Sequence, residues 1–148
     1  MENLETWQFG IDNDYLVGLV LSGKKTATTS IYDEKDIPKV NEESILLFES
    51  KKKACVLKTK KVIITEFKNI NEELSNLEGE GTFDEWRKSH IKFFESIDSN
   101  FNENTKVVFE IFKVIKRFWY LKNLRSQFAI PSYKINLLNK KSTITSYF

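Results

Sequence analysis

Ten residues, LSGKKTATTS at positions 21–30, hold the densest reactive chemistry in the sequence. An apolar run stops at Gly23, two lysines follow, and four of the next five side chains carry hydroxyls. Two uses are open for Lys24 and Lys25. Cations just past a helix end are drawn to its exposed carbonyls, an effect worth about 0.3–1 kcal/mol. Alternatively, one of the amines is aimed at a substrate. Thr26, Thr28 and Ser30 carry the same double reading, because such residues are also ordinary strand formers.

Acids are the second candidate group. Glu78-Gly79-Glu80-Gly81 is a turn with two carboxylates. They are either solvated loop acids or site residues; two carboxylates without neighbours make a poor site for a hard metal ion. Glu110 stands among Val108, Phe112 and Val114 on one strand face, at a ligand cleft or at the strand's wet end. His90 is the only histidine and Cys55 the only cysteine, so no zinc-ligand cluster and no intramolecular disulfide is available. No metal and no cofactor is expected.

The elements that must position these groups follow from periodicity. Residues 12–22 have helical spacing at Leu16, Leu19 and Val20, with Asp12 or Asn13 as cap and Gly23 as stop. A strand is expected from Thr26 to Tyr32, with Thr26, Thr28 and Ser30 on one face. Ser44–Glu49 reads as a short strand, Lys51–Lys53 as a hairpin tip, and Ala54–Phe67 as a long strand or two meeting at a bulge. Ile70–Leu77 reads as a short helix. Thr82 and Glu85 fit a capping box that opens a helix over 83–97, its buried stripe being Phe83, Trp86, His90, Phe93 or Phe94, and Ile97. Lys106–Ile115 is apolar on both faces, a strand covered twice. Beyond it only 117–128 offers a helical turn or two, and Pro131 interrupts. This is an α+β order, and a small barrel with helices at its rim fits it better than a doubly wound sheet.

Composition sets the outer bounds. The chain has 148 residues, which suits one domain, and 41% hydrophobic content argues for a packed core rather than disorder. The acidic start lacks the pattern of a secretory signal, and no apolar run reaches the ~20 residues of a membrane span. A soluble, cytoplasmic protein is expected. Charge is segregated: residues 1–112 hold 15 Lys/Arg and 21 Asp/Glu, while 113–148 hold eight Lys/Arg and no acid. That basic, aromatic end suits single-stranded nucleic acid, packing onto the acidic domain, or self-association.

Taken in order, "WQFG", "LVLSGKKTATTS", "PKV", "EGEG", "WRKSHIKFF" and "VVFEIFKVI" resemble the ASCH domain family. The resemblance implies a small PUA-like mixed β-barrel flanked by helices over residues 1–116, leaving 117–148 as a basic C-terminal extension. It implies binding of RNA or a modified nucleoside in a cleft over the barrel. Some members of the family remove the acetyl group from N4-acetylcytidine, and a ribonuclease activity has also been attributed to members. On matching positions the catalytic residues are Lys25, Thr28 and Glu80. Apart from the resemblance, Lys24 and Arg87 are cations that can reach a phosphate, and with Thr26 they are the expected substrate contacts. Departures are Asn41 where glycine is usual, Ser50-Lys51-Lys52-Lys53 at the hairpin tip, a short link from Gly81 to Trp86, and the extension itself. If Lys25 is a base it must be neutral, so burial and Lys24 would have to bring it well below the ordinary ~10.4.

Overall fold

The computed structural model describes residues 3–118. The helical turns expected within 117–128 and the self-association expected of the extension lie, from residue 119 onward, outside the described residues.

Among the described residues, five strands and three α-helices form the domain. In chain order they are β1 (Glu5–Trp7), α1 (Asn13–Leu21), β2 (Ala27–Ile31), β3 (Glu43–Leu47), β4 (Lys53–Glu66), α2 (Glu72–Asn76), α3 (Phe83–Ile97) and β5 (Lys106–Arg117). The strands make one mixed sheet in the order β1-β3-β4-β5-β2, with only β1 and β3 parallel. The sheet curls into a half-barrel, the α+β arrangement expected. β1 was not expected. Its three residues are too few to show a period.

One apolar cluster packs Val17 and Val20 of α1 against Leu46, Leu57 and Phe112. The other packs Trp86 and Phe94 of α3 against Phe67, Val107 and Phe109. β4 serves both, because its register against β5 slips between Thr59 and Lys61. Before the slip Leu57 opposes Val114 and Thr59 opposes Phe112; after it Ile63 opposes Phe109. One extra residue thus turns the odd-numbered side chains of β4 to the opposite face.

Local chemistry sets the joints around the lysine segment. Asp12 takes the N-cap position of α1 at φ +44° but makes no side-chain cap bond. Asn13 braces the entry instead: its Oδ1 accepts from the Phe9 N–H at 2.7 Å and its Nδ2 donates to the Leu47 carbonyl at 3.0 Å. At the other end Gly23, at φ +83°, donates to the Val20 carbonyl while Lys24 donates to that of Leu19. This is the Schellman pattern that glycine permits. Asn41, where glycine is usual in the resembling family, sits at φ +73°, a region asparagine tolerates.

The acid turn is fastened to the lysine segment. The Leu77 carbonyl accepts from the Thr26 N–H at 2.7 Å and from its Oγ1 at 3.1 Å. Gly79 lies at φ +67°, and a Cβ there would stand 2.4 Å from the Lys24 carbonyl oxygen. The capping box at Thr82 and Glu85 then launches α3, which buries Trp86, His90 and Phe94 as its spacing predicts. Ile97 departs from that stripe: as the last residue of α3 it is 59% exposed. Gly79→Ala combines a left-handed backbone with a backbone collision. It is expected to lower unfolding stability by more than ~1 kcal/mol, read from urea denaturation; an unchanged midpoint would show that the turn can move away.

Candidate functional site

Lys25 precedes β2 and is almost wholly buried, as are Glu78, Glu80 and His90 at 0%, 4% and 5% exposure. Its ammonium donates to Glu78 Oε1 at 2.9 Å and makes a close contact with Glu80 Oε2. Glu78 Oε2 accepts from Thr29 Oγ1 at 2.5 Å. His90 stacks on Trp86 at 4.3 Å and sets Nδ1 2.8 Å from the Trp86 carbonyl, so Nδ1 carries a hydrogen. Its Nε2 stands 3.5 Å from Glu78 Oε1 and 3.8 Å from Glu80 Oε1. Glu80 Oε1 is buried without a hydrogen-bond partner among the described residues.

The four groups set one another's ionisation. Burial disfavours the charge on Lys25, but Glu78 and Glu80 outweigh it and raise its pKa above the usual value. This is opposite to what a lysine base requires. Burial likewise opposes ionisation of Glu78, yet Lys25 and His90 hold it well below the carboxylate range. Glu80 goes the other way: burial, helped by Glu78 beside it, pushes its pKa up to about 7. For His90 burial is outweighed by Glu78, and the imidazole is raised. Glu78, Glu80 and His90 could each offer a metal one atom, all within 4.8 Å of one another. The Lys25 ammonium already bonds both carboxylates, and a metal ion would have to displace it.

This cluster lies against a cavity of about 370 Å³. Its lining includes Lys25, Thr28 and Glu80 together. Lys25 lies before β2 rather than on it, so strand alternation does not separate it from the half-buried Thr28, and both reach the same cavity. The remaining lining includes an apolar group with Phe9, Phe93 and Ile97, an acidic group of Glu5, Asp36, Glu42 and Glu110, and neutral polar residues such as Gln8, Ser30, Ser44 and Thr59. Six carboxylates thus line the cavity against one amine and one imidazole, a poor place for a phosphate chain. Lys24, Thr26 and Arg87 are not in the lining. Thr26 holds the acid turn, and Arg87 pairs with Glu103 at 2.5 Å and lies over the Phe67 ring at 5.5 Å.

The ASCH domain family model matches residues 5–116. The chain belongs to the ASCH domain family. The family is PUA-like and RNA-associated. Among solved structures, a protein from Enterococcus faecalis V583 is similar at 26% identity and TM-score 0.70, covering 81% of this chain and 85% of that one. An ASCH domain from Lactobacillus crispatus JV V101 is similar at 22% identity and TM-score 0.72, covering 78% and 81%. An ASCH protein from Zymomonas mobilis, at 13% identity and TM-score 0.51, covers 97% and 95%. No curated protein matches. No helix among the described residues of this ASCH domain is long and apolar enough to cross a membrane.

Of this cluster, the sequence does not single out Thr29, places His90 in a buried stripe, and leaves Glu78 between solvated acid and site residue. The available signal is that "EGEG" and the histidine-bearing "WRKSHIKFF" both belong to the stretches that carry the family resemblance.

The pH dependence of stability follows from these directions. The depressed Glu78 adds stability above its ordinary carboxylate value of 4.5, and that contribution is lost in acid. The raised Glu80 acts in reverse: the folded state holds its proton longer, so stability falls as pH rises from 4.5 to about 7. His90 adds a further fall above its ordinary 6.5. Glu80→Gln is therefore expected to flatten the decline between about pH 5 and 7 in urea titrations. An unchanged slope would mean that Glu80 does not carry that proton.

Proposed function

We propose that the cavity binds a modified nucleoside and hydrolyses an acyl amide on its base, N4-acetylcytidine being the simplest case. The observation that carries this reading is that Lys25, Thr28 and Glu80 line one cavity, with Lys25 and Glu80 in direct contact. A volume of about 370 Å³ is in the range of small-molecule sites. The acidic lining favours an uncharged nucleoside over a nucleotide.

Thr28 supplies the hydroxyl that attacks the amide carbonyl. Lys25, held charged, serves as a fixed cation for the oxygen that becomes negative in the tetrahedral intermediate. Glu80, with a pKa near 7, is suited to give a proton to the departing cytosine amine. Wild-type protein is expected to convert N4-acetylcytidine to cytidine and acetate, followed by chromatography, and Thr28→Val to lose at least ~100-fold in kcat. Absence of turnover by the wild type ends the reading, and equal turnover by the variant removes Thr28 from it.

A second reading, RNA binding without catalysis, is favoured by a separate surface. Lys53, Lys60, Lys61, Lys113 and Lys116 are exposed on β4 and β5, and Lys58 lies opposite Lys113 in the register. None of these six makes an ion pair among the described residues. Both strands are central, so the lysines are not needed to guard a sheet edge. Lys53 and Lys116 also flank the Phe118 ring, at 5.7 and 5.1 Å. Affinity for a single-stranded RNA oligonucleotide is expected to fall linearly on a log–log plot against salt. Lys60→Glu with Lys113→Glu should reduce the slope by about 1.4, at ~0.7 per lost phosphate contact. A slope unaffected by the double variant would rule this surface out.

A further inference from the structure

The reaction proposed above leaves the proton of the Thr28 hydroxyl without an acceptor, and the inference here rests on that reaction. Lys25 is not available, because its ammonium is charged and bonded to Glu78 and Glu80. Glu80 is tied to Lys25 and is assigned to the leaving amine. Glu78 is fully buried and accepts from both Lys25 and Thr29.

One carboxylate remains beside Thr28. In the antiparallel pairing of β2 with β5, Thr28 lies directly opposite Glu110. Residues so paired have Cα atoms about 4.5–5.5 Å apart and project side chains from the same face of the sheet. Thr28 and Glu110 both line the cavity. The Glu110 carboxylate is held from the far side, where Thr59 Oγ1 of β4 donates to its Oε2 at 2.6 Å. Its Oε1 and the Thr28 hydroxyl have no hydrogen-bond partner among the described residues. The carboxylate's neighbours along the strand face are the buried Val108 and Phe112.

We propose that Glu110 is the general base that takes the Thr28 hydroxyl proton. As the Thr28 Oγ–C bond forms, the hydroxyl proton passes to Glu110 and the carbonyl π pair moves to oxygen. Collapse of the intermediate re-forms the carbonyl and breaks the C–N bond, and the amine leaves with a proton from Glu80. Water then attacks the acyl-threonine and gives one proton to Glu80. The Thr28 oxygen leaves with the proton stored on Glu110. The sum is one amide and one water converted to one acid and one amine.

The surroundings suit the role. Burial raises the pKa of Glu110, the Thr59 bond lowers it, and Glu42, Asp36 and Glu5 raise it again. Those carboxylates come from the β2–β3 connection and from β1, while Thr59 bonds it from β4 and Thr28 lies opposite it on β2. A carboxylate raised towards working pH is a stronger base than an ordinary one. A purely structural Thr59–Glu110 bond would brace the sheet equally well, and the test must separate the two.

The test is the pH profile of N4-acetylcytidine hydrolysis by the full chain, its Glu110→Gln variant and its Thr59→Val variant. Glutamine keeps the shape of the side chain and can still accept from Thr59. Glu110→Gln is expected to lower kcat by about 10²–10⁴-fold, to leave KM within a few-fold, and to abolish the acid limb of the kcat profile. Thr59→Val removes a bond that favours the carboxylate, so its acid limb should move to higher pH. Retained kcat in Glu110→Gln, or a change confined to KM, overturns the proposal. If Glu110→Gln does not fold, an unmoved acid limb in Thr59→Val overturns it. An inactive wild type removes the amidase reading and this proposal together, whereas an active wild type with an unaffected Glu110→Gln removes only the base.

Discussion

The arrangement depends on one buried ammonium. Lys25 lies between Glu78 and Glu80 with its charge removed from water, and neither acid could be buried there ionised without it. Desolvating an ion costs several kcal/mol, and only close opposite charges recover it. Here the recovery is uneven. Lys25 and Glu78 remain an ion pair, while Glu80 is left as the group whose proton is easily moved. Two carboxylates around one amine therefore give the site both a fixed charge and a labile proton.

The chain brings these groups together from far apart. Lys25 and Glu80 are separated by 55 residues, yet each is placed by short-range backbone rules. A Schellman stop fixes Lys24 and Lys25 relative to α1, and two left-handed glycines fold the acid turn onto them. Thr26 and Leu77 close the remaining gap. The sheet adds a second polar group at the cavity: Thr28, Glu110 and Thr59 stand on neighbouring strands, and their alignment is set by register.

Much of this was legible in the sequence, for particular reasons. α3 was, because a capping box and a 3.6-residue stripe agree on its start and its buried face. The Gly23 stop and the unusual turn at Gly79 and Gly81 were, because glycine marks left-handed backbone. The motif around Lys25 and Glu80 pointed to the cavity. What sequence reasoning could not supply was electrostatic. An acid in a Gly-rich turn reads as solvated, and nothing local tells that Glu78 is fully buried. The ionisation of Lys25 was expected in the wrong direction for the same reason, since its partners are distant in the chain. The N-cap of α1 falls on Asp12, one of the two residues expected, but the bracing comes from Asn13, which bonds backward to Phe9 and across to Leu47 rather than into its own helix.

The slip in β4 has a consequence for how this domain can vary. Leu57 feeds the layer under α1 and Ile63 the layer under α3, and the single odd count between them decides which layer each joins. Substitutions along that stretch change only what is packed. Gaining or losing one residue there would exchange the tenants of two interiors at once, so relatives that diverge freely in composition should still keep the same tally from 57 to 63.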